Sequence, residues 1–252
     1  MYDLQKASMW RRISAALCDL VAVSIVAVGF AVLISTLLGY DARVARLEEI
    51  SEAYETEYGV DFDISNEDYS KLSEGEQETY GQAMDAFSRD VEANQIYSLL
   101  INFTFATISI SILIAFLLLQ LLVPLLFRNG QTLGKKIFGV AVMRDDGVKL
   151  EPMLLFVREI LGRYTLETML PVLLVLMIYF GAIGIVGTIT IAGMLILQLV
   201  LLCSTSKRQV LHDKIAHTVT VEYDSQKIFD SVEDMLAYKK RIHEEQVESE
   251  RD

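Results

Sequence analysis

The ionisable side chains that stand among apolar neighbours suit proton and cation chemistry. Asp19 lies inside residues 13–38, a run with no other charge, and Arg12 precedes it by seven positions. Seven residues make two helical turns, about 10.5 Å along the axis, a gap an arginine side chain largely covers. A carboxylate inside a spanning helix costs at least ~2.5–3.5 kcal/mol on insertion scales, so it faces protein or water and holds a partner or a proton. Two readings follow. Asp19 and Arg12 form an ion pair that fixes helix packing, or Asp19 binds a proton or cation with its affinity tuned by arginine. His212 and Asp213 form a second candidate just after the last apolar run. Imidazole titrates near physiological pH, so the pair reads as a proton relay or as a helix cap.

Other chemistries fail on spacing. His212 and His217 have no supporting Cys or His, and neither HExxH nor paired CxxC occurs, so no metal centre is expected. Gly130 to Lys135 falls one residue short of a phosphate loop, and Lys136 stands where Ser or Thr would bind magnesium. Asp61, Asp63 and Ser65 begin like an EF-hand loop, but Asn66 replaces its glycine and Leu72 its bidentate Glu. That segment reads as a solvated acidic turn. No Ser or Cys occupies a nucleophile elbow, so neither enzyme activity nor a cofactor is expected.

The chain that must position these residues has 252 of them, 52% hydrophobic, with a net charge of −12. The two properties are segregated. Residues 39–96 hold sixteen acids and four bases, which is the whole −12, and the remainder is balanced. With no basic domain to neutralise phosphate, nucleic acid is excluded as a partner. Cys18 and Cys203 sit in apolar runs and read as small hydrophobes rather than a disulfide.

Residues 13–38, 97–127 and 168–203 are apolar runs of 26, 31 and 36 residues, and about 20 suffice to cross a bilayer. The third is too long for one upright helix and is broken by Gly181, Gly184 and Gly187, so it reads as two spans with the glycines at the turn. Basic residues gather before the first run (Lys6, Arg11, Arg12), after the second (Arg128 to Arg163) and after the third (Lys207, Arg208, Lys214). The enrichment of basic residues on the inner side puts all three segments and both termini in the cytoplasm. The expected fold is therefore an all-α polytopic membrane protein of about four transmembrane helices in the plasma membrane. Its segments are a cytoplasmic N-terminus (1–12), TM1 (13–38), an external acidic helical hairpin (39–96), TM2 (97–127), a cytoplasmic β-hairpin and interfacial helix (128–167), a TM3–TM4 hairpin (168–203) and a cytoplasmic tail (204–252). The first run is too long for a cleaved signal core, contains an acid and lacks a small-residue cleavage site, so it reads as a retained anchor.

Within 39–96, Val44, Leu47, Ile50 and Tyr54 recur at helical spacing, as do Tyr80, Met84, Phe87 and Val91, and Ser65 with Asp68 reads as a capping box. After the second run, Val140–Met143, the turn Asp145-Asp146-Gly147 and Val148–Leu150 read as a small β-hairpin. His217 to Tyr223 alternates and supplies a third strand. Pro152 to Tyr164 suits an interfacial helix with its arginines at the headgroups. From Ser225 on, Ile228, Val232, Met235 and Ile242 mark an amphipathic tail helix.

Three blocks together resemble the RDD family of membrane proteins, named for one arginine and two aspartates. They are Trp10 with Arg12-x-x-Ala15-x-x-x-Asp19, the GQTLGKKIFGVAV…DDG block from Gly130 to Gly147 followed by the Arg158 region, and Leu211-His212-Asp213-x-x-Ala216-x-Thr218-Val219. They span residues 9–221 in the family's order, and the spacing to Ala15 and Asp19 selects Arg12 over Arg11. The long acidic hairpin and the tail depart from the pattern. The resemblance implies Arg12, Asp19 and Asp213 as functional residues and exchange of sodium, or of lithium or potassium, for protons.

Two functions are consistent with these residues. One is a cation/proton antiporter in which Asp19 alternates between H⁺ and Na⁺, Arg12 tunes it, and Asp213 with His212 delivers protons; four spans make a thin wall, so it calls for a homodimer. The other is a non-transporting membrane adaptor whose charges lock helix packing while the hairpin or the cytoplasmic cap binds a partner protein or lipid.

Overall fold

Residues four apart decide which face the first helix buries. Helix α1 (Met9–Leu37) buries Ala15, Asp19, Val23 and Ala27, a single stripe. Its other sides carry Leu20, Val21, Ile25 and Val28, all more than half exposed, a surface that suits hydrocarbon rather than water. The computed structural model describes residues 5–127, 130–204 and 209–249; Arg128, Lys207 and Arg208 of the basic flanks lie outside them.

Three helices among the described residues are long and apolar enough to cross a membrane: α1, α5 (Val91–Phe127) and α7 (Pro152–Tyr179). Helix α8 (Ile185–Ser204) is a shorter apolar helix. The chain is an all-α integral membrane fold with a small β element. The expected interfacial helix at 152–164 is not separate. It is the first half of α7, which begins sixteen residues before the apolar run at 168. The run was cut there by its charges, and those charges are buried inside the protein rather than placed at headgroups: Arg158 is 2% and Glu159 0% exposed. Gly181 (φ 70) and Gly184 lie in the turn between α7 and α8, whereas Gly187 lies within α8, where a Cβ would come 2.7 Å from the Ile183 side chain.

The contacts divide the chain into two units, Met1–Val28 with Ser111–Asp252, and Gly29–Ile110. In the second unit, α2 (Tyr40–Tyr58) starts after Gly39 and stops at Gly59, both in the left-handed region that glycine enters without strain. Ser65 opens α3 (Asn66–Tyr69) as expected, its hydroxyl accepting from the Asp68 amide. Ser73 and Glu76 form a full capping box at the start of α4 (Glu74–Arg89). Helices α2 and α4 close on an aromatic group: Tyr54 meets Phe87 edge-on, and Phe62 contacts both Tyr80 and Phe87. Arg46 forks onto Glu92 at 2.8 and 3.2 Å. The expected stripe on α4 holds for Tyr80 and Phe87, but Ala83 is its buried residue, while Met84 and Val91 are exposed. Helix α4 ends at Asp90, which leaves helical geometry, so Val91 starts a new helix and the period does not carry across.

In the first unit, Val23 and Ala27 of α1 pack on Ala115 and Phe116 of α5, with Tyr164 edge-on to Phe116. A short helix α6 (Leu133–Ile137) leads into strand β1 (Val140–Arg144). Strand β1 pairs antiparallel with β2 (Thr218–Glu222), Val140 opposite Glu222 and Arg144 opposite Thr218. The third strand of the sequence reading is thus the main partner. Residues 148–150 contribute only a bridge of Lys149 to Met143, because Val148 turns to bridge Phe229 instead. Gln5 and Lys6 add to the free edge of β2. Helix α9 (Leu211–Ile215) precedes β2, and α10 (Val232–Ser249) packs Met235 on Val148 and Phe229.

Candidate functional site

Asp19 does not stand alone on the buried stripe of α1. Its Oδ2 accepts the Thr132 hydroxyl at 2.5 Å and its Oδ1 accepts the Gly134 amide at 2.8 Å. Thr132 is also the N-cap of α6, accepting from the Lys135 amide, so an acid on α1 binds the N-terminal turn of α6, where unpaired amides favour negative charge. Gly134 makes this approach possible: a Cβ there would lie 2.3 Å from the Ala15 carbonyl oxygen. The sequence block GQTLG therefore serves as a docking surface for Asp19.

Asp213, the second aspartate singled out in the sequence, is 1% exposed at the start of α9. Its Oδ1 receives Arg158 from Nε at 3.1 Å and Nη2 at 2.8 Å, and the Thr218 hydroxyl at 3.2 Å. Arg12 reaches its Oδ2 at 3.5 Å. Burial pushes the Asp213 carboxyl up, but the charges of Arg158 and Arg12 outweigh it and hold it below the usual range. The arginine offered to Asp19 by spacing along α1 thus meets Asp213, 201 residues away in sequence.

His212 is fixed on both ring nitrogens. Arg158 Nη2 stands 3.0 Å from its Nε2, and Glu167 Oε2 2.6 Å from its Nδ1. A guanidinium only donates and a carboxylate only accepts, so Nε2 accepts and Nδ1–H donates. The His212 backbone amide also donates to Glu167. Gly162 lets α9 this close, since a Cβ would lie 2.7 Å from that of His212.

Arg158 and Glu167 reach the same imidazole because α7 is π-helical over Val157–Met169. Nine residues in an α-helix of 3.6 residues per turn end on the opposite face. With the i→i+5 bonding of a π-helix and about 4.4 residues per turn, nine residues are two turns and the side chains stack. The same stretch carries Glu159, which contacts Arg158, lies 3.5 Å from Lys135 and 3.5 Å from Arg163. A second π-helical stretch, Leu117–Leu122 of α5, presents buried Gln120, which accepts from Arg163 at 2.6 Å.

Around these groups lies a cavity of about 320 Å³ lined by Arg12, Asp19, Lys135, Arg158, Arg163, Glu167, His212 and Asp213. With Glu159 behind it, the cluster matches four acids against four bases. Lys135 is the group least accommodated. Its Nζ is buried with no hydrogen-bond partner among the described residues, and burial, then Arg158, lowers its pKa to about 8 despite the opposing pull of Glu159.

All four residues singled out by sequence, Arg12, Asp19, His212 and Asp213, line this one cavity. The sequence reading used Lys135, Arg158 and Arg163 to orient the chain, rejected Lys135 as a phosphate-loop lysine and placed the two arginines at the headgroups, and it did not find Thr132, Glu159 or Glu167 as site residues. The signal available for the last two was the interruption of apolar sequence by charge between Pro152 and Met169. A family model, that of the RDD family, matches residues 6–217. No curated protein and no solved structure matches the chain.

Proposed function

Because the chain belongs to the RDD family, we propose that this integral membrane protein exchanges a monovalent cation (Na⁺, Li⁺ or K⁺) for protons through the buried cluster of its first unit. The observation that carries this reading is the cavity of about 320 Å³ walled by both signs of charge. It has room for a cation with several waters of about 30 Å³ each. A wall of matched charge suits exchange, since a transported ion must bind firmly enough to enter and weakly enough to leave. In this reading α8 is a fourth span, both termini face the cytoplasm where the basic residues gather, and residues 39–96 are external. A homodimer supplies the second wall that four spans lack.

The test is the full chain in proteoliposomes with a pH dye inside. Addition of NaCl, LiCl or KCl collapses an imposed pH gradient and choline chloride does not; a gradient indifferent to all three cations sinks the reading. Orientation is read separately in a chain without native cysteines. Ser88→Cys reacts with an impermeant maleimide on intact cells and Ser225→Cys does not.

One observation favours a second reading, a packing device in a membrane adaptor: both oxygens of Asp19 are taken by donors of the protein. In that case Asp19 variants lower the folded yield and no cation moves the gradient.

A further inference from the structure

We propose that Lys135 is the residue whose proton is exchanged for the cation, an inference that rests on the exchange reading above. Lys135 is 8% exposed and lines the cavity. Among the described residues its Nζ has no hydrogen-bond partner, and its ion-pair contact is Glu159 at 3.5 Å. The acids around it are engaged by other donors. Asp19 holds Thr132 and Gly134, Asp213 holds Arg158 and Thr218, and Glu167 holds His212.

Asp19 on α1 and Arg158, Glu159 and Arg163 on α7 face Lys135 electrostatically. Arg12 on α1, Glu167 on α7, and His212 and Asp213 on α9 complete the cavity wall. The arginines keep their charge throughout the physiological range, and the acids are held by arginine or by N–H and O–H donors. Lys135 is therefore the base in this cluster that can become neutral with the least rearrangement. The Nζ–H bond breaks, the electron pair stays on nitrogen, and the proton leaves to bulk water. The four-against-four balance then falls short by one positive charge, which a monovalent cation in the cavity restores. Protonation of Lys135 expels that cation. The lysine value near 8 places this switch in reach of a cell.

The test compares wild type, Lys135→Arg and Lys135→Met in the dye-loaded proteoliposomes, each first checked for a single symmetric elution peak in detergent. Wild-type exchange rises with pH about a midpoint near 8. Lys135→Arg keeps the charge but cannot release a proton, so Na⁺-driven pH change falls by more than about tenfold at every pH. If the larger side chain prevents folding, Lys135→Met serves, since it admits a cation without yielding a proton and also produces no pH change. Wild-type exchange with either folded variant at the wild-type rate and pH midpoint overturns the role of Lys135 and leaves the exchange reading standing. Absence of exchange in wild type overturns both.

Discussion

If Asp19 is the clamp that joins α1 to α6, its shape and its charge are separable by substitution. Asp19→Ala removes the acceptor for the Thr132 hydroxyl and for the Gly134 amide, both inside a buried site. Hydrogen bonds to a charged group are worth about 1.5–3 kcal/mol each, and an amide left unpaired loses its full desolvation. Two such bonds give roughly 3–6 kcal/mol, which at about 2–4 °C per kcal/mol for a chain of this size lowers the melting temperature by roughly 6–24 °C. Asp19→Asn keeps a carbonyl for the Gly134 amide and an NH₂ for the Thr132 oxygen, so it loses only the charge assistance, about 1–2 kcal/mol. The assay is thermal unfolding in one detergent, followed by loss of the monodisperse elution peak. The expected order is wild type, Asp19→Asn, then Asp19→Ala. Gly134→Ala disrupts the same joint, because its Cβ would lie 2.3 Å from the Ala15 oxygen, so the double variant with Asp19→Ala loses less than the sum of the two. An Asp19→Ala chain melting within about 2 °C of wild type refutes the clamp. So does Asp19→Asn falling as far as Asp19→Ala, since then charge rather than geometry holds the joint.

Three further outcomes follow from the same structure. Lys135 titrates near 8 when folded and near its ordinary 10.5 when unfolded, so between these values the unfolded chain holds more protons and stability rises with pH. The destabilisation is complete below pH 8 and is relieved by about 3 kcal/mol on approach to pH 10.5; wild-type melting temperature, compared with Lys135→Met, climbs through that window, and a parallel pair of curves contradicts it. Gly162→Ala forces a Cβ to 2.7 Å from His212 and costs about 1–3 kcal/mol, whereas Gly81→Ala in α4, with nothing within 4 Å of the new Cβ, gains about 0.5–1 kcal/mol; hydrogen exchange in α9 and α4 reads each locally. Arg158→Lys loses the two-pronged contact with Asp213 and the donor to His212, and costs about 3 kcal/mol by leaving buried partners underbonded; an unchanged melting temperature counts against the network.

The second unit shows how far local rules carry. Gly59 and Ser65 act within a few residues of themselves, and Tyr54, Tyr80 and Phe87, placed by helical spacing, meet once the hairpin closes. The β element shows the limit. A turn at Asp145-Asp146-Gly147 is a local property, but the partner of β1 is a strand more than seventy residues later, and alternation in a short segment does not say which edge it joins. Within α7 the limit is sharper, because a reading based on the period of an α-helix puts Arg158 and Glu167 on opposite faces, and the π-helical stretch puts them on one.

By itself, the sequence determined that apolar and acidic segments separate, that the apolar ones are long enough to span a bilayer, and that Asp19 is out of place among them unless it has a function or a partner. Those conclusions rest on the sums of transfer energies along a chain, which need no knowledge of fold. The tertiary structure alone decided the pairings: Asp19 with Thr132 and Gly134, Arg12 with Asp213, His212 between Arg158 and Glu167, and the Lys135 Nζ left without a hydrogen bond among the described residues. A buried charge takes whichever partner the packing brings within about 3 Å, and that distance is set by glycines and a widened helix far away in sequence.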